Sequence, residues 1–185
     1  MNNHKKQKNI FLISTIYLIL SISIVSAQTL FKVENNHKCG YMDSTGKEVI
    51  PLSYYSCDDT FSEGLAGVVS LVKADKKPDI DGVSYKNAAG YIDPKGNEVI
   101  KPDIRWFGTH PFCNGFAVID LANEKGHMII KKDGSYLTKT VFQECRDYSE
   151  GFFAVKIKKK WGFVNRTGSI CIKPVFEEVE SFHDG

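Results

Sequence analysis

Short apolar runs separated by polar turns recur along the chain, and each turn ends at a glycine. The first copy is the apolar run 40–42 with the turn 43–46, and the same order returns at residues 90–96 and 161–168. An Asp or Asn at the start of such a turn bonds its own backbone, and the glycine supplies the positive φ that closes a hairpin. Self-similarity at this period predicts a repeat architecture of small supersecondary units.

Four units can be aligned, at about residues 39–68, 89–118, 127–155 and 161–185. Each has an opening strand, a glycine turn, a second strand and a polar corner with aromatic positions, and a closing strand follows in the first three. The corners show no sustained apolar–polar alternation, so they are interpreted as loops. Proline cannot donate to a ladder, so it is expected to end the second strand in three units. These prolines are Pro51, Pro102 and Pro174.

The pattern predicts an all-β fold of tandem three-stranded antiparallel meanders, stacked as an open twisted solenoid. A single meander is too small to be stable, so neighbouring units must stack to make a core. A propeller-like ring is the alternative. The unequal spacing of the units favours the open form, because a ring also needs closure between the first and last units. No helix of ordinary length is expected after Gln28.

Residues 1–27 have the features of a signal peptide. Three lysines precede an apolar run at residues 10–25, and small residues up to Ala27 offer a cleavage site. An uncleaved anchor is the alternative, but the run is short for about 30 Å of hydrocarbon. We therefore expect an exported protein (periplasmic, outer-surface or secreted) with no membrane span after cleavage. A lead-in of residues 28–38 precedes the repeat domain, residues 39–185.

Signal removal leaves a chain with almost no net charge. It takes away three of the 24 basic residues and none of the 22 acidic ones, so 21 face 22. A near-neutral chain has no overall field that would attract nucleic acid, so no nucleic-acid partner is expected. The remaining 158 of the 185 residues can bury one core.

Five cysteines remain, and an odd number leaves at least one unpaired within the chain. Disulfides and buried reduced cysteines are both open, and the spacing does not specify connectivity. No C-x-x-C pair or Cys/His cluster has metal spacing, so no metal site is expected. The cysteines are Cys39, Cys57, Cys113, Cys145 and Cys171.

The sequence contains no catalytic or cofactor motif. No nucleophile elbow, phosphate loop or dinucleotide motif occurs, so neither a cofactor nor an enzymatic activity is expected. The segment 72–87 is an insertion between the first two units, and its residues 79–82 fail the ligand spacing of a calcium loop. The histidines after residue 27 are scattered over the lead-in and different units: His37, His110, His127 and His183.

Two adjacent aromatic pairs are the candidate binding residues. They are Tyr54-Tyr55 and Trp106-Phe107 in the corners of the first two units. Successive strand side chains face opposite ways, so we expect one member of each pair to be exposed and the other to pack inward. An exposed aromatic can stack on a sugar or anchor a protein partner.

The repeat resembles the WG β-repeat family. The resemblance covers most of residues 39–185, with the best matches at 61–66, 90–102 and 161–174. The third unit lacks the opening glycine and the proline, so it is a degenerate copy. The family's tryptophan is present only as Trp161, and Cys39, Ala89 and His127 occupy the matching sites.

The resemblance implies a protein-interaction or envelope-associated module. We therefore expect a non-catalytic protein- or glycan-binding scaffold. The alternative is the binding portion of a cell-surface polymer hydrolase whose catalytic part lies elsewhere, with Gly185 the end of a fragment. Function is to be sought in what varies between the units: the insertion after Leu71, the Trp106 corner and whatever lies beyond Gly185.

Overall fold

The computed structural model describes residues 29–73, 85–122, 126–180 and 182, and the predicted all-β fold is confirmed there. Residues 1–27, which we expect to be a signal peptide, and residues 79–82 of the insertion lie outside the described residues. Four small antiparallel sheets follow one another along the chain. The strands are β1(Phe31–Asn35), β2(Lys38–Met42), β3(Glu48–Tyr54), β4(Ser56–Cys57), β5(Ala66–Lys73), β6(Tyr85–Ile92), β7(Glu98–Asp103), β8(Trp106–Thr109), β9(Phe116–Leu121), β10(His127–Lys131), β11(Glu144–Cys145), β12(Phe152–Ile157), β13(Lys160–Asn165) and β14(Ile170–Phe176).

Each of the last three sheets straddles the boundary between two sequence units. The second sheet has the order β4-β5-β6-β7, in which β5 closes the first unit and β6 opens the second. These two strands pair continuously from Ala66↔Ile92 to Lys73↔Tyr85, so the insertion begins as an extension of their hairpin. Closing and opening strands are consecutive in the chain, and antiparallel neighbours need only a short connection. The meander therefore exists, but it is offset from the sequence repeat.

The corners contain short strands, which corrects their interpretation as loops. β4, β8 and β11 are two to four residues long and pair with the closing strand of their own unit. A pairing this short gives no measurable alternation in the sequence. The lead-in likewise forms a strand, β1, which pairs with β2 in the place that a closing strand takes in the later sheets.

The predicted glycine turns are present after the opening strands. In the second unit, Asp93 Oδ1 accepts the N–H groups of Lys95 and Asn97, both at 2.9 Å. Gly96 then closes the turn with a φ of 82°. Carboxylate or amide oxygens make the same side-chain turn in the other units, from Asp43, Asp133 and Asn165.

The prolines do not end the second strands as expected. Pro102 lies inside β7. Because β7 is an edge strand, the N–H group that proline lacks needs no partner in the sheet. The strand bends there, with a shift in register against β6. Pro51 and Pro174 lie inside the edge strands β3 and β14 in the same way.

The third unit is irregular, as its sequence indicates. Met128 replaces the opening glycine, and the expected second strand at residues 136–138 is reduced to an isolated bridge between Ile130 and Tyr136. The third sheet therefore has three strands, β10-β9-β8, instead of four.

Large aromatic side chains form the core between consecutive sheets. Tyr91 and Phe112 are fully buried, with ring centroids 4.8 Å apart. The sheets form no closed barrel within the described residues, in agreement with the solenoid prediction. No helix in this part of the chain has the length and apolar character to cross a membrane.

One disulfide joins two strands of the first unit. It links Cys39 of β2 to Cys57 of β4, and both side chains are buried. Cys113, Cys145 and Cys171 are free thiols. The structure thus gives one answer to a pairing that the sequence left open.

Candidate functional site

A continuous groove crosses the surface where the second and third sheets meet. Its larger part is a cleft of about 810 Å³, and a second cleft of about 260 Å³ adjoins it. Both clefts are lined by Asn87, Phe107 and Asp120, which join them into one surface. We call this surface the aromatic groove.

Exposed apolar side chains rim the aromatic groove. Phe107 is 59% exposed, Tyr85 55% and Tyr55 51%, and Ile104 is also exposed. Phe107 stands between the two clefts, Tyr85 borders the larger one and Tyr55 the smaller one. Large exposed aromatics around a concave surface are typical of a recognition site.

The two predicted aromatic pairs are each divided between surface and core. Trp106 is 3% exposed, and its Nε1–H donates to Tyr136 Oη at 3.1 Å. Tyr54 is partly buried against the core of the first unit. Their neighbours Phe107 and Tyr55 are the members that line the groove, so Trp106 and Tyr54 support the site from behind.

Ionisable side chains form the floor of the groove. Asp120 of β9 lies opposite His127 of β10 and opposite Gly108 of β8, two residues before His110. Cross-strand neighbours on one face of a sheet are close enough to interact. Asp120 Oδ1 lies 2.8 Å from His127 Nδ1 and 3.3 Å from His110 Nε2. Strand register thus brings together two histidines that appear scattered in the sequence.

Two glycines make room for the carboxylates of the floor. A Cβ on Gly108 would lie 2.8 Å from Asp120 Oδ2, and one on Gly67 would collide with the Thr109 side chain and lie 2.9 Å from Asp58 Oδ2. The Gly67 N–H also donates to Asp58 Oδ2 at 2.7 Å. The second and third units have Val118 and Ala154 where the first has Gly67. This space is therefore a local departure from the repeat.

The two floor carboxylates differ in their electrostatics. The hydrogen bond with His110 lowers the pKa of Asp120 despite partial burial, and His127 adds to this effect. The same bond raises the pKa of His110 against the effect of its burial, with further help from Asp147 and Asp58. Burial raises the pKa of Asp58, and the Gly67 N–H offsets part of that rise. The Asp120 side of the floor is thus ionised at neutral pH.

Sequence reasoning missed part of this site. Ile104, Tyr85, Asp120 and the two histidines were not singled out as binding residues. A signal did exist, since Asp120 aligns with Val69 and Lys156 and is therefore specific to the second unit. The segments expected to carry function do reach the groove, because Tyr85 belongs to the insertion and Phe107 belongs to the Trp106 corner.

Comparison with known families identifies the repeat. The family described as WG containing repeat matches residues 40–70, 90–124, 128–161 and 161–185. No curated protein and no solved structure matches the chain. The family match covers well over half of the chain, and its stretches follow the four aligned units. The chain therefore belongs to the WG repeat family.

Proposed function

We propose that the protein is an exported, non-catalytic module that binds a surface glycan in the aromatic groove. The observation that carries the proposal is the position of Phe107, Tyr85 and Tyr55 around the ionised carboxylate of Asp120. Aromatic faces offer apolar area for the C–H surface of a sugar ring, and a few polar groups fix its orientation. Carboxylate and imidazole groups supply hydrogen bonds to sugar hydroxyls.

The groove suits a glycan chain better than a folded protein. A stable protein interface buries about 800 Å² on each partner and contains a well-packed apolar centre. Here the apolar side chains are separated by Asn87, Asp120 and other polar lining residues. An alternation of ring faces and polar groups matches a polymer of repeating polar rings.

Two features support export. The basic and apolar pattern of residues 1–27 is that of a signal peptide. The Cys39–Cys57 disulfide belongs to an oxidising compartment, since cytosolic thiols are kept reduced.

A polysaccharide retention assay tests the proposal. The purified chain is passed over immobilised chitin, cellulose and peptidoglycan, and we expect retention on at least one. Phe107→Ala and Tyr55→Ala are each expected to weaken that retention about tenfold, the factor that corresponds to ~1.4 kcal/mol. The matched control is Phe176→Ala, an exposed aromatic of β14 that does not line the groove.

Three outcomes would count against this function. Equal retention of Phe107→Ala and the unaltered chain would place the binding elsewhere. Capture of a protein partner alone, with no polysaccharide retained, would favour a protein-binding role. Release of reducing ends by the unaltered chain would favour the hydrolase alternative.

A further inference from the structure

The structure assigns a binding site for a zinc-class divalent metal ion to His110, Asp120 and His127. One ligand atom from each of these side chains can be chosen so that all three lie within 4.8 Å of one another. This inference stands on the geometry of the three side chains and does not require that the groove bind a glycan.

The distances suit a shared ion. Zinc bound tetrahedrally at 2.0–2.2 Å from nitrogen and oxygen holds its ligand atoms about 3.3 Å apart. His110 Nε2 lies 3.3 Å from Asp120 Oδ1, and His127 Nδ1 lies 2.8 Å from the same oxygen. Small rotations of partly exposed side chains are enough to open this cluster around an ion.

The ligand types point to the same class of ion. Two imidazoles and one carboxylate form a donor set that transition metals prefer, whereas Ca²⁺ and Mg²⁺ prefer oxygen ligands alone. Sites with three protein ligands commonly keep one coordination position for water or another ligand. Asp120 and His127 line the larger cleft, so the remaining position would face the aromatic groove.

A second carboxylate supports the outer ring nitrogen of one ligand. His110 Nδ1 lies 3.5 Å from Asp147 Oδ1, on the side of the ring away from Asp120. Metal-bound histidines usually have a carboxylate, carbonyl or water at their other nitrogen, which fixes the ring and its tautomer. Asp147 comes from the corner of the third unit, so the site draws on both units that the third sheet connects.

The backbone holds the ligands in place. Asp120 and His127 are register partners in adjacent strands, and the His110 N–H donates to Val118 O at 3.0 Å. The His110 carbonyl accepts the hydroxyl of the buried Tyr91 at 2.8 Å. Sites on paired strands are positioned more accurately than sites on free loops. The expectation of no metal site was based on ligands spaced closely along the sequence. Here the three ligands come from β9, from β10 and from the residue after β8, so their proximity exists only in the folded chain.

Calorimetric titration of ZnCl₂ into the metal-stripped full chain tests the inference. We expect one zinc ion per chain, and we expect His110→Gln and His127→Gln to abolish its binding heat. Asp147→Asn should weaken binding about tenfold, as is typical for an outer partner of a ligand. The control is His37→Asn, in the β1–β2 turn, where the φ of 58° is one that Asn tolerates. This control should bind zinc as the unaltered chain does.

Free thiols need a separate control because they also bind zinc. The absorption spectrum of the Co²⁺-loaded chain should lack thiolate charge-transfer bands, and Cys113→Ser and Cys171→Ser should leave zinc affinity unchanged. In crystals soaked with ZnCl₂, an anomalous scattering peak should lie between the three side chains, which checks the site without any substitution. Absence of zinc binding, or binding that survives both histidine substitutions, would overturn the inference.

Discussion

At the scale of single residues, the opening glycine of each unit is required by a close backbone contact. A Cβ on Gly90 would lie 2.5 Å from the carbonyl oxygen of Ile100, at the bend of β7. Gly40 and Gly162 meet the carbonyl oxygens of Ile50 and Ile172 in the same way. The family's glycine is thus explained by packing of the second strand on the opening strand. The third unit has Met128 at this place, and there the second strand does not form.

Replacing this glycine should destabilise the fold. We expect Gly90→Ala to lower the free energy of unfolding by about 3 kcal/mol, because backbone must move to admit the methyl group. Urea denaturation measures the change. Gly64→Asn is the control, since Gly64 has a φ of 82° that Asn tolerates and nothing lies within 4 Å of its Cβ position. An equal loss in both variants would refute the contact as the cause.

The same residues show what sequence reasoning can and cannot reach. The turn of Asp93 and Gly96 was predictable because its determinants are local. The cluster of Asp120 with its two histidines was not, because it depends on the register of three strands. Phe107 was found through strand alternation, whereas Tyr85 lies within the insertion, where the repeat gives no guide.

At the scale of elements, the corners of successive units are tied together by side chains. Glu63 Oε2 accepts the N–H of Gly115 in the second unit at 3.0 Å and lies 3.0 Å from Lys132 Nζ in the third. Lys132 Nζ also donates to the Glu63 carbonyl at 2.9 Å. Three units therefore meet at one carboxylate, although pairing within the sheets involves only two units at a time.

This contact predicts a stability difference that depends on pH. Burial raises the pKa of Glu63, but the Lys132 and Gly115 contacts lower it by more, so its net pKa lies below the ordinary 4.5. Because the pKa of Glu63 is lower in the folded state, its ionised carboxylate stabilises the fold above pH 4.5. This contribution disappears as the pH falls through the folded-state pKa. Glu63→Gln should therefore cost about 0.5 kcal/mol at neutral pH and nothing in acid. Urea midpoints of both proteins across this range provide the measurement, and a difference independent of pH would contradict it.

At the scale of the whole molecule, cohesion comes from sheets and cores arranged in series. Three of the four core clusters in the described residues combine side chains from consecutive sheets, and the fourth belongs to the last sheet, so the sheets are stabilised mainly by their neighbours. The first sheet has β1 and the Cys39–Cys57 disulfide in addition. The cross-link joins β2 of the first sheet to β4 of the second, and so ties two sheets together.

Loss of this disulfide should weaken the whole array. Its cysteines are 18 residues apart, and closing a loop of that size contributes about 3 kcal/mol. We expect the double substitution Cys39→Ala/Cys57→Ala to lower the thermal midpoint by roughly 10 °C. Cys171→Ser removes an exposed free thiol instead and should leave the midpoint unchanged. A midpoint equally unaffected by both changes would show that the cross-link does not stabilise the fold.

The offset between sheet and sequence unit determines how a repeat unit can be added to such a chain or removed from it. A duplicated unit carries the opening strand that completes the sheet before it and the closing strand that begins the next. An added copy can therefore enter between two existing units and leave every sheet complete on both sides. A cut at a unit boundary does the opposite. It separates the closing strand of one unit from the opening strand of the next, and these two strands pair at the centre of a sheet, as β5 and β6 do. Shortened versions of this protein should accordingly be cut between sheets, at 104–105 or 143, and not between the matched repeats.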